Sequence, residues 1–96
     1  MNGSTTFVAF RIVISGRVQG VFFRTTMKSL ADSNDVVGWV RNLPDGTVEA
    51  LVQGKEVNVH RLIQWCNEGP KKANVTNVVV QKIDADNSYR NFAILY

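Results

Sequence analysis

The chain has 96 residues, 45% of them hydrophobic and 20% charged, an ordinary balance for a single soluble globular domain. Eleven basic residues against eight acidic ones give a net charge of +3, which favours an anionic ligand slightly but builds no polybasic tract. The single cysteine, Cys66, excludes an internal disulfide framework and offers no metal-ligand spacing; no apolar run approaches the ~20 residues of a membrane span.

Residues 1–6 are small and polar and read as a disordered tail, which leaves 7–96 as one domain. The start MNGSTTFVAF lacks the basic and apolar regions of a signal peptide, so a reducing, cytoplasmic setting is expected. FVAFRIVI (7–14) is β-branched and aromatic, with Val8, Phe10, Ile12 and Ile14 on one face, and predicts a first strand. After the loop that follows, Phe23, Met27, Leu30 and Ala31 hold the spacing of an amphipathic helix, which SND (33–35) ends. VVGWVRN (36–42) and TVEALVQG (47–54) flank the turn residues LPDG (43–46) and read as a β-hairpin. In its second strand Val48, Ala50 and Val52 alternate with Thr47, Glu49 and Gln53, as expected of a strand with one buried and one solvated face. From Lys55 onward Val59, Leu62, Ile63 and Cys66 restore helical spacing, and Gly69-Pro70 stops the second helix. VTNVVVQKI (75–83) is a further strand, and NFAILY, at the end, reads as a fifth at an edge.

The order β-α-β-β-α-β plus one strand predicts an α+β, ferredoxin-like split β-α-β sandwich. Two helices would pack on one face of a four- to five-stranded, mostly antiparallel sheet. In that topology the first two strands run parallel with the third between them. Their C-terminal ends share an edge with the N-terminus of the first helix. The loop 15–21, Arg24 and Asn42 should therefore lie together.

SGRVQGVFFR (15–24) carries no His, Cys, Asp, Glu or Lys, so it has no ordinary proton-transfer group. It has instead two glycines that free the backbone to turn N–H groups toward one point, a helix N-terminus, and Arg24 with its planar charged fork. Those parts suit a phosphate cradle. They equally suit a tight strand-to-helix turn with two solvated arginines.

The letters themselves narrow the choice. GRVQGVFFR (16–24) resembles the acylphosphatase signature, in which a G-R-V-Q-G-V run leads to an arginine. GWVRNLPDGTVEALVQG (38–54) is similar to that family's second signature: glycine, aromatic, small apolar, basic, Asn, then the turn glycine, valine and final glycine. Gly69-Pro70, Ala73-x-Val75 and Phe92-x-Ile94-x-Tyr96 extend the resemblance over about residues 7–96. SNDVVG (33–38) departs from the Leu-Gly-Leu-type segment common in the family, away from either motif's key positions.

The resemblance implies hydrolysis of the carboxyl–phosphate bond of acyl phosphates, with no cofactor and no metal. Its phosphate-binding arginine falls on Arg24 and its water-orienting asparagine on Asn42. The remaining phosphate-binding positions fall on the loop backbone at Gly16, Val18, Gln19, Gly20, Val21, Phe22 and Phe23. A small-molecule acyl phosphate as substrate, inorganic phosphate as product and competitive inhibitor, a monomer, and neither nucleic acid nor membrane as partner go with it. The chemistry is sensible without acid–base residues: a carboxylate with a pKa near ~4 leaves as an anion at neutral pH.

The alternative is a non-catalytic anion- or RNA-binding module of the same architecture. RNA-recognition domains stack bases on aromatics of the third strand, and TVEALVQG has none. His60, the only histidine, has no carboxylate or cysteine at ligand spacing and reads as a surface or boundary residue. Cys66, Trp39 and Trp65 read as packing residues, Asp84 and Asp86 as solvated, and Arg17 is assigned no chemistry.

Overall fold

The computed structural model describes residues 6–96. It contains β1 (Phe7–Arg17), α1 (Phe23–Ser33), β2 (Val37–Asn42), β3 (Val48–Lys55), α2 (Glu56–Cys66), β4 (Asn74–Ile83) and β5 (Phe92–Leu95). The five strands form one sheet in the order β4-β1-β3-β2-β5. β1 pairs antiparallel with β3 and β4, and β2 pairs antiparallel with β3, while β5 alone runs parallel to its neighbour β2. This is the expected ferredoxin-like α+β arrangement, with β5 at an edge. The tail expected over 1–6 lies outside the described residues except for Thr6, whose carbonyl accepts a hydrogen bond from the Glu56 N–H at 2.9 Å. No helix among the described residues is long and apolar enough to cross a membrane.

Alternation decides which side of the sheet takes the helices. Ile12 stands opposite Ala50 and Ile14 opposite Val48, and Val40 stands opposite Ala50 from the other side. These side chains are fully buried together with Phe23, Met27 and Ala31 of α1 and Val59, Leu62 and Cys66 of α2. Burying a side chain of the Ile, Phe or Met class contributes about 1.5–3 kcal/mol, so this layer holds both helices to one face.

Two details depart from the sequence reading. β1 continues past Ile14 through Gly16 and Arg17, with a register shift between Ser15 and Gly16 where it meets β4. Gly16 sits at φ +117°, and a Cβ there would come within 2.1 Å of the Asn74 carbonyl oxygen. Its role is a bulge and a close approach inside the sheet.

The second departure is on the face away from the helices. Alternation predicts Glu49 and Gln53 in solvent, yet they are only 4% and 5% exposed. Arg41, directly opposite Glu49, donates to it from Nε at 2.7 Å, and Arg11 does so at 2.6 Å, so two long side chains fold over the carboxylate. Gln53 exchanges hydrogen bonds with the Asp86 backbone, donating to its carbonyl at 2.9 Å and accepting from its N–H at 2.8 Å. The polar residues of the open face are covered because they are paired.

Candidate active site

β1 and α1 are joined by residues 18–22, which run along the sheet edge where β2 ends. Gly20 turns at φ +73°, with nothing within 4 Å of the place a Cβ would occupy. Phe22 then adopts φ 67°, ψ 25°, a left-handed conformation unusual for a residue with a Cβ, and starts α1. The loop is anchored by its side chains. Val18 and Val21 are buried, and Phe23 packs tilted on Trp65 with ring centroids 5.0 Å apart. Gly69, whose positive φ ends the turn after α2, lies against the same ring, and a Cβ there would meet it at 2.7 Å.

The Gln19 side chain reaches across to the β2–β3 turn. Its Nε2 donates to the Leu43 carbonyl at 2.8 Å and to the Thr47 carbonyl at 2.9 Å. The turn is closed independently by Leu43 N–H to Thr47 carbonyl (2.9 Å) and by Asp45, whose Oδ1 accepts from the Thr47 N–H and hydroxyl. Those bonds from Thr47 hold the Asp45 carboxyl below its ordinary value. Gln19 thus ties the loop to the residue that follows Asn42.

Arg24, in the first turn of α1, and Asn42, the last residue of β2, line one cavity of about 250 Å³ with Val18, Gly20, Phe22, Phe23 and Thr25. Among the described residues no carboxylate pairs with Arg24, whose guanidinium carbon lies 5.2 Å from the centroid of the Tyr96 ring. The N–H groups of residues 18–22 find no protein acceptor among the described residues, and the first N–H groups of α1 are free by helix geometry. Asn42 Oδ1 is the one buried side-chain polar atom among the described residues without a hydrogen-bond partner. A positive fork, unpaired N–H groups and the Asn42 side chain therefore meet at one opening, a set of groups that can hold an anion beside a water.

The structure brings Val18, Gly20, Phe22, Phe23, Arg24 and Asn42 to this cavity, as the topology predicts. Gly16, Gln19 and Val21 do not line it: Gly16 lies in β1, Gln19 points to the hairpin and Val21 packs in the core. Thr25 lines the cavity without having been singled out; its hydroxyl donates to the Phe22 carbonyl at 3.3 Å, and its place in the first helical turn was the available signal. Cys66 is fully buried and burial pushes its thiol up to about 12, as suits a packing residue. His60 is exposed, tilted against Phe10. No group of three His, Cys, Asp or Glu among the described residues is arranged to hold a metal ion.

Known proteins match this fold and its motifs. The acylphosphatase family model matches residues 10–94. An acylphosphatase of Rubrobacter xylanophilus is 48% identical over 84 residues, covering 88% of this chain and 76% of that protein. One of Acaryochloris marina is 44% identical over 88 residues, covering 92% and 94%. The solved structure of an acylphosphatase from Coxiella burnetii superposes with a TM-score of 0.88 at 35% identity, covering 93% of each chain. With the family's model spanning nearly the whole domain and relatives alike along most of their length, this chain is an enzyme that belongs to the acylphosphatase family.

Proposed function

We propose that the chain hydrolyses the carboxyl–phosphate bond of small acyl phosphates to a carboxylate and inorganic phosphate, with Arg24 and the loop N–H groups holding the phosphoryl group and Asn42 holding the attacking water. One observation carries this reading: Asn42, whose buried side-chain oxygen has no hydrogen-bond partner, lines the same cavity as Arg24, which no carboxylate pairs among the described residues. A buried acceptor without a partner costs about 1–3 kcal/mol, a cost that a small turn of the Asn42 amide toward a water bound in the cavity would offset.

Each part has a task. The Arg24 fork binds two phosphoryl oxygens, and the backbone N–H groups of about residues 18–23 take the charge that redistributes as the P–O bond breaks. Accepting a hydrogen bond from one water O–H at its side-chain oxygen, Asn42 orients the water's lone pair toward phosphorus, opposite the leaving carboxylate. The water's proton passes to a phosphoryl oxygen of the substrate. Since the carboxylate leaves as a stable anion, the step asks for no general acid, no metal and no cofactor. The acting unit is a single chain in the cytoplasm, with inorganic phosphate as product and competitive inhibitor.

The test is direct. The purified chain, in the presence of a chelator, is expected to consume benzoyl phosphate, followed by loss of absorbance, with inhibition by inorganic phosphate that rising substrate overcomes. Absence of turnover under these conditions overturns the reading.

A further inference from the structure

We infer that the Phe22 ring is the surface on which the acyl group of the substrate packs, so that this chain favours flat, apolar acyl groups over small ones. This rests on the hydrolysis proposed above and assigns its substrate preference to one side chain.

Phe22 holds a conformation that glycine or asparagine adopts more easily, and Gly20 shows that this loop accepts glycine in a left-handed turn with open space around it. A bulky residue at such a position is normally compensated by burial. Phe22 is not: it is 70% exposed, whereas the next residue, Phe23, is 2% exposed and sits in the core. Neither backbone geometry nor core packing accounts for an aromatic ring here.

Its location does. The large exposed apolar residues are Phe7, Phe22, Val57, Val79, Val80, Leu95 and Tyr96 among the described residues, and of these only Phe22 lines the cavity. The other apolar liners, Val18 and Phe23, are 1% and 2% exposed and form the floor. Arg24, Thr25 and Asn42 are polar and suit the phosphoryl end and the water. An acyl group attached to that phosphoryl group leaves the polar pocket toward solvent, and Phe22 is the accessible apolar surface it meets. Aromatic contact of this kind favours a ring-bearing acyl group by about threefold to tenfold.

The experiment compares kcat/KM for benzoyl phosphate and acetyl phosphate in the intact chain and in F22N, F22G and F22Y. Asparagine and glycine keep the left-handed turn and remove the ring; tyrosine keeps the ring. A ratio of benzoyl to acetyl kcat/KM that drops about threefold to tenfold in F22N and F22G, and is retained in F22Y, is expected. The ratio cancels any change in phosphate handling shared by the two substrates. A ratio that stays within twofold in both ring-less variants, or falls equally in F22Y, overturns the assignment to Phe22 and leaves the hydrolysis standing. Failure of the unaltered chain to hydrolyse either substrate overturns both.

Discussion

Arg11 and Arg41, on the open face of the sheet, both grip the carboxylate of Glu49, at 2.6 and 2.7 Å from Nε. Arg24, at the cavity, has no carboxylate partner among the described residues, and the amide oxygen nearby at Asn42 is unpaired too. The same side chain serves two purposes in one small domain. On the sheet face, charges complete one another and hold strands β1, β2 and β3 in register. In the cavity they are left open, which under the proposed function trades stability of the empty protein for affinity toward an anion. Polar groups that the fold does not satisfy point to the ligand better than the number of charges does.

The largest break in this contrast comes from R24A. It is expected to lower kcat/KM by about a thousandfold or more and to abolish inhibition by phosphate, while the thermal midpoint stays within a few degrees, because no ion pair is lost and the contact given up is with the exposed Tyr96 ring. Steady-state kinetics and a melting curve on one preparation read both. N42A should reduce kcat by about a hundredfold to a thousandfold with phosphate inhibition kept, since it removes the water's partner and not the anion's. Equal loss of phosphate inhibition in N42A would show that Asn42 holds the anion instead.

Q19A is expected to be milder, with kcat down by about tenfold and most of that effect absent in an N42A background. The lost bonds tie the loop to the hairpin that carries Asn42, so the two changes should not add. Smallest for turnover is E49Q, which should change kcat/KM by less than about threefold yet cost about 1–3 kcal/mol of stability in urea unfolding. Burial pushes the Glu49 carboxyl up, but hydrogen bonds from Arg41 and Arg11 and their charges outweigh it, leaving it below the ordinary value of 4.5. The carboxylate's contribution is thus complete above pH 4.5 and is lost as pH falls through the lower folded value. E49Q should therefore show a shallower loss of stability on the acid side.

Much of the fold was legible from single-face alternation, because Ile12, Ile14, Val48, Ala50 and Val52 announce a buried side without reference to anything distant. The meeting of Arg24 and Asn42 was legible from strand order alone. What escaped depends on partners far away in the chain. Gly16 reads as a turn glycine until the Asn74 carbonyl is placed against it. Nothing around Gln19 in the sequence says that its side chain will cross to the Leu43 and Thr47 carbonyls. Glu49 reads as solvated until the stems of Arg11 and Arg41 close over it. Each is a polar or backbone requirement, and periodicity carries no record of those.

The strand order has a kinetic consequence. Arg24 follows β1 and Asn42 ends β2, and these two strands do not touch; each pairs with β3, which is made last of the three. No fragment that stops before β3 can hold the two residues at their working separation. Most pairings in this sheet join distant stretches of chain, a topology that folds in milliseconds to seconds. During refolding, recovery of turnover would therefore time the docking of the central strand, and early helix formation would be silent in that assay.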